Sequence, residues 1–181
     1  MALRFSAKRA AILDQWTTRL QDPDEFERLA HALPLIDAGT TRAVYDLGDG
    51  FVLKLPHSAE HEAYLDRGRQ ANRKEWVAWL ALSRRHPRCA MLTRIYGCAE
   101  DGSWLIAEKI EPHRLAEVTF EERLERFMTA FARYYGDMVE AGECNWFSLD
   151  MCDQNFGVRA GRLVLLDLEG VGWQLKGAFV A

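Results

Sequence analysis

Three residues in the last third of the chain have the types and spacing to handle a hard cation and a phosphate. They lie in Asp150-Met151-Cys152-Asp153-Gln154-Asn155-Phe156-Gly157, which is followed by Leu163-Val164-Leu165-Leu166-Asp167-Leu168-Glu169-Gly170. Magnesium takes oxygen ligands and usually only one or two of them from protein. A loop asparagine, Asn155, and an aspartate closing an apolar run, Asp167, are donors of that kind. Phosphoryl transfer asks for little covalent help from a protein; it needs charge on the phosphate oxygens neutralised and the attacking hydroxyl held in line. Asp150, five positions before Asn155, fits the second task. Asp153 stands nearby but lacks that spacing to an asparagine. An Asp-x-x-x-x-Asn run is common by itself, and Asp150 also suits a turn or cap. The apolar run leading into Asp167 is what makes the pattern more specific.

The elements that must carry these residues can be read from the pattern around them. Phe156-Gly157-Val158, a turn at Ala160-Gly161 and the run Leu163 to Leu166 predict a hairpin, with Asn155 entering it and Asp167 leaving it. A long helix is expected before it, from about Thr119 to Ala141, with Thr119 and Glu122 as a capping box and Gly142 at the stop. Further upstream, Ala43 to Leu47 and Phe51 to Leu55 flank Gly48-Asp49-Gly50, a good signal for a hairpin that Pro56 ends. Residues 58 to 85 have a helical composition, weakened in the middle by Gly68, so that the first part reads as a separate piece. Met91 to Cys98 and Trp104 to Ile110 read as two strands around the turn Glu100 to Ser103. Two amphipathic helices are expected before Pro34. The first carries the stripe Ala10, Leu13, Trp16 and Leu20, with Asp14 and Gln15 facing water. The second starts at Asp22-Pro23-Asp24-Glu25 and buries Phe26, Leu29, Ala30 and Leu33.

With its D-x-x-x-x-N loop and its Asp167-Leu168-Glu169-Gly170 segment, the chain resembles the protein-kinase-like superfamily over roughly residues 34 to 170. The resemblance implies Asp150 as the catalytic aspartate and Asn155 and Asp167 as magnesium ligands. It makes Lys54, in Phe51-Val52-Leu53-Lys54, similar to the strand lysine that meets the α and β phosphates. Glu75 is then the helix glutamate that holds this lysine, and Gly39, Thr40 and Thr41 form a shortened phosphate-covering loop. Residues Glu108 to Ile110 become the hinge, whose backbone meets adenine. The implied cofactors are ATP and Mg2+. On residue type alone, Lys54 also fits an exposed strand lysine and Glu75 a solvated helix charge, with Glu60 or Glu62 as rivals for its role.

The resemblance implies an α+β, protein-kinase-like fold: a helical extension over 1–33, a small N-lobe over 34–110 with an antiparallel sheet and one long helix, and a reduced helical C-lobe over 111–181. Several positions depart from the family pattern. Ser148 and Leu149 stand where histidine and arginine precede the catalytic aspartate, Cys152 where lysine is frequent, and the phosphate loop has a single early glycine. With the short stretch after Gly170, the resemblance implies a kinase without an activation segment, similar to the minimal kinases of bacterial effectors and phages. The function expected is transfer of the γ-phosphoryl group of ATP to a hydroxyl on a protein, with a host protein as one such partner. Alternatives from other classes are a small-molecule phosphotransferase of the aminoglycoside or choline kinase type and a non-catalytic pseudokinase.

The bulk numbers exclude other classes. Twenty-three basic and 27 acidic side chains give a net charge of −4, with no strongly basic stripe, so nucleic acid is not an expected partner. Cys89, Cys98, Cys144 and Cys152 lack C-x-x-C spacing and read as reduced thiols of a cytoplasmic protein, or of one delivered into a host cell. No apolar run approaches the roughly 20 residues of a membrane span. His57 and His61 read as a solvated pair, and Trp76, Trp79 and Trp104 as core.

Overall fold

The computed structural model describes residues 7–22, 24–57, 62–86, 90–140 and 153–168. In chain order these form α1 (Ala7–Arg19), α2 (Asp24–Ala32), β1 (Leu35–Ala38), β2 (Arg42–Gly48), β3 (Phe51–Pro56), α3 (Glu62–Arg85), β4 (Ile95–Cys98), β5 (Leu105–Glu108), α4 (Glu117–Glu140), a 3-10 turn over Asp153–Asn155, β6 (Phe156–Arg159) and β7 (Arg162–Leu165). The fold is α+β. Five strands make one antiparallel sheet in the order β1-β2-β3-β5-β4, and β6 and β7 make a second, two-stranded one. Contacts group residues 1–76 with 94–109, and residues 77–93 with 110–181.

The first unit is organised by the period-2 alternation of β3. Phe51, Leu53 and Leu55 point to one face of the sheet and share a buried core with Leu47, Trp104, Ile106, Leu20 and Leu29. Ile12, Leu13 and Trp16 of α1, with Ala30 and Leu33 after it, pack on that core. The N-terminal helices therefore cover one face of the sheet. Ala10, expected in the α1 stripe, is exposed, and Ile12 takes part instead. Asp14 and Gln15 face water as expected. The side chain of Phe26 lies outside the described residues.

Tight turns set the register. Gly48, Asp49 and Gly50 have φ of 77°, 51° and 83°, a left-handed run in which two glycines carry no steric cost. Pairing then places Val44 opposite Lys54 and Tyr45 opposite Leu53. The helix expected to weaken at Gly68 is continuous from Glu62 to Arg85. Glycine is needed there for close approach: a Cβ at residue 68 would lie 2.6 Å from the Thr41 carbonyl oxygen and 2.7 Å from Pro56 Cβ. The residue marks a contact, not a break.

In the second unit, α4 buries Phe120, Phe127, Phe131, Tyr135 and Met138, at helical spacing. Phe127 meets Phe156 of β6 edge-on at 5.2 Å between ring centroids. The helix starts at Glu117, so Thr119 lies within its first turn and the expected capping box is not the helix boundary. The strand expected from Met91 is regular only from Ile95. Before it, Leu92 makes an isolated parallel bridge with Leu165. Gly142 lies outside the described residues. Among the described residues, no helix is long and apolar enough to cross a membrane.

Candidate functional site

The first unit contains a buried charge cluster. Lys54 sits on β3, between Leu53 and Leu55, so alternation turns it to the face opposite the apolar core. On α3, Ala71, Asn72 and Glu75 are completely buried, at the spacing that puts them on one side of a helix. Lys54 Nζ donates to Glu75 Oε1 at 2.7 Å and to Oε2 at 2.9 Å. Lys54 is 8% exposed and Glu75 is 0% exposed, so this pair is in the protein interior.

Two residues complete the cluster that the sequence did not single out. Arg42 Nη1 donates to Glu75 Oε2 at 2.6 Å and to Asn72 Oδ1 at 3.2 Å. Asn72 Nδ2 in turn donates to the backbone oxygens of Gly102, at 2.9 Å, and Lys54, at 3.3 Å. One asparagine thus ties α3 to β3 and to the β4–β5 turn. The signal for both was present. Arg42 is two residues before Val44, which pairs with Lys54, so the three share a sheet face. Asn72 is three residues before Glu75 on the helix.

The segment Gly39-Thr40-Thr41 is the turn between β1 and β2. Gly39 N–H donates to Arg42 O at 2.9 Å and closes it. His57 clasps it from the end of β3: its N–H donates to Thr41 O at 3.1 Å, and its Nε2 lies 2.7 Å from Gly39 O, which makes Nε2 the donor. Gly39 and Thr40 are exposed.

Glu108 ends β5, and its N–H donates to Arg94 O at 2.8 Å. Lys109 follows, donating from N–H to Gly50 O at 2.9 Å and from Nζ to Asp46 Oδ2 at 2.7 Å. The Lys109 hydrogen bond, helped by the Gly48 N–H, holds the Asp46 carboxyl below its usual range. Burial, with the Glu75 and Asp101 carboxylates, pushes the Cys98 thiol up to about 12, so it stays protonated and is no nucleophile at neutral pH.

Ile110, Asn155 and Asp167 belong to the second unit. The 3-10 turn delivers Asn155 directly into β6. Beyond the last regular pair, Phe156 with Leu165, the Leu166 N–H donates to Asn155 O at 2.8 Å. This extra bond brings the entry and exit of the hairpin together, one residue before Asp167. Phe156 and Leu168 are fully buried and anchor the two strands, while Asn155 and Asp167 stay half-buried. An amide oxygen and a carboxylate are donors of the kind that hard cations take. Asp150 lies outside the described residues, as do Glu60 and His61. Glu62 begins α3, but its side chain is also outside them.

No family model and no curated protein matches the sequence. Among solved structures, WbdD co-crystallised with the kinase inhibitor LY294002 and a high-resolution crystal structure of WbdD are both similar to this chain. Each has a TM-score of 0.38 and 18% identity, covering 76% of this chain and 33% of WbdD. The chain therefore spans about a third of the length of the protein it matches, at a similarity below the level that fixes a shared fold.

Proposed function

We propose that this chain is an ATP- and magnesium-dependent phosphotransferase of the protein-kinase-like type. The observation that carries the reading is the Lys54–Glu75 pair, buried between the third strand and the long helix. A strand lysine held by a helix glutamate is how protein kinases present an ammonium to the α and β phosphates. Buried ion pairs are in general a weak source of net stability. Taking each ion out of water costs several kcal/mol, and well-packed apolar side chains at such positions are often as good or better.

In this reading Lys54 binds the phosphates, Glu75 fixes its position, and Arg42 and Asn72 fix Glu75. The Gly39–Thr41 turn covers the phosphates, and the backbone of Glu108 to Ile110 meets adenine. Asn155 and Asp167 would hold magnesium, which supplies charge neutralisation on the phosphate oxygens when bound. Asp150 orients the acceptor hydroxyl and takes its proton. The acceptor oxygen forms the new bond to the γ-phosphorus, the bond from that phosphorus to the β–γ bridging oxygen breaks, and ADP leaves with that oxygen. The acceptor is a hydroxyl, and we place it on a protein.

Asp167→Ala tests the assignment. The variant is expected to keep its fold and lose ATP turnover; turnover at the wild-type rate would remove Asp167 from the site. Labelled ATP with a cell lysate, and separately with hydroxylated metabolites, shows which acceptor class takes the label.

A further inference from the structure

The second unit contains a concave pocket of about 610 Å3 on α4 and the β6–β7 hairpin, which the phosphotransferase reading does not use. That volume falls within the roughly 300–1,000 Å3 of small-ligand clefts. Its rim carries Arg123 and Arg126 from α4 and Arg162 from β7, with His86 and Tyr134 beside them. No carboxylate is in the lining among the described residues. The whole chain is net acidic, at −4, so three guanidinium groups on one concavity stand out against their background. Its floor is apolar, with Phe127 and Leu163 each 5% exposed.

The partners of the arginines differ. Arg123 Nη1 donates to Gly161 O at 2.9 Å, which fixes it against the hairpin turn. Arg126 and Arg162 are exposed and make no ion pair with the described residues. Glu122 lies one turn before Arg126 on α4 without pairing to it among the described residues. Two exposed forks thus accompany one that is held by a hydrogen bond. Guanidinium groups match the oxygens of a phosphate bidentately, and arginine serves that purpose better than lysine. A half-apolar floor accepts the carbon skeleton that bears the anion.

We infer that this pocket binds a phosphomonoester through Arg123, Arg126 and Arg162. The phosphate is carried by a phosphorylated protein segment or by a small phosphorylated metabolite.

The test is calorimetric titration of the full chain at low salt without divalent cations, in a Lys54→Met background that removes the lysine of the proposed nucleotide site. The probes are a phosphoserine peptide, its unphosphorylated form, and glucose 6-phosphate. The expected result is binding of a phosphorylated probe and none of the unphosphorylated peptide. Arg126→Ala with Arg162→Ala should weaken that binding about tenfold or more, as loss of a charge-assisted hydrogen bond does. Both side chains are exposed, so the fold should survive. Lysine at both positions should restore part of the affinity. Binding of the peptide alone assigns a protein source, and binding of the sugar phosphate a metabolite. No binding of either phosphorylated probe, or binding that the double substitution leaves unchanged, overturns the inference. Either result leaves the proposed role of Lys54 standing, so the two claims fail separately.

Discussion

The two faces of β3 make different uses of burial. Phe51, Leu53 and Leu55 look towards α1 and α2 through a close-packed apolar layer. One residue out of phase, Lys54 looks the other way and meets Glu75, with Arg42 and Asn72 bonded into the same network. The first face returns free energy for every methylene buried. The second removes three formal charges from water and recovers that cost only through well-formed hydrogen bonds. A strand that could have been apolar on both faces carries a charged network on one. The difference separates a face that gains free energy with each apolar group buried from one that must satisfy every charge it buries.

The sharpest break in this comparison is at Glu75. Glu75→Ala should destabilise by roughly 3–5 kcal/mol, because it leaves Lys54 and Arg42 buried without their shared carboxylate. Replacing the charges together, with Arg42→Met, Lys54→Met and Glu75→Leu, should recover most of that loss in chemical denaturation while abolishing nucleotide use. Failure of the triple variant to recover would mean that the network is there for stability. On the apolar face, Leu53→Ala should cost about 2–5 kcal/mol through the cavity it leaves, with no separate effect on nucleotide affinity once the protein is folded.

Gly68→Ala probes the contact that seats α3 against β3. The added methyl group would collide with Thr41 O and Pro56, and overpacking of this kind costs about 1–3 kcal/mol. An unchanged Tm would show that the helix shifts freely there. The smallest effect belongs to the Asp46–Lys109 pair, about a third exposed, whose contribution should stay within about 1 kcal/mol. Its sign is fixed by the lowered Asp46 pKa: the stabilisation is present above the ordinary aspartate range, near 4, and lost as pH falls through the folded value. The midpoint difference between wild type and Asp46→Asn should therefore shrink between pH 7 and pH 3.

Local pattern made much of this legible. The Gly48-Asp49-Gly50 turn, the alternation through β3 and the turn between β6 and β7 are signals within a few residues, and each element forms where they point. What depends on register was harder to see. Arg42 joins the cluster because cross-strand pairing sets Val44 against Lys54, and Asn72 because it shares a helix face with Glu75. The stripe on α1 says that one side is buried but not against what. Gly68 looks like a helix breaker in the sequence, and only the nearness of Thr41 and Pro56 shows why it is required. Thr119 and Glu122 fit a capping box by spacing, yet α4 begins at Glu117, because helix ends depend on tertiary packing as well as on local caps.

The most direct test of the phosphotransferase reading is transfer of γ-labelled phosphate from ATP in the presence of magnesium, comparing wild type with Lys54→Met after both are shown to be folded. Wild type is expected to transfer phosphate to itself, to a lysate protein or to a small acceptor, and the variant to do so about 100-fold or more slowly, the size seen when a charge-stabilising donor is removed. Absence of transfer by folded wild type, or equal transfer by Lys54→Met, would contradict that reading.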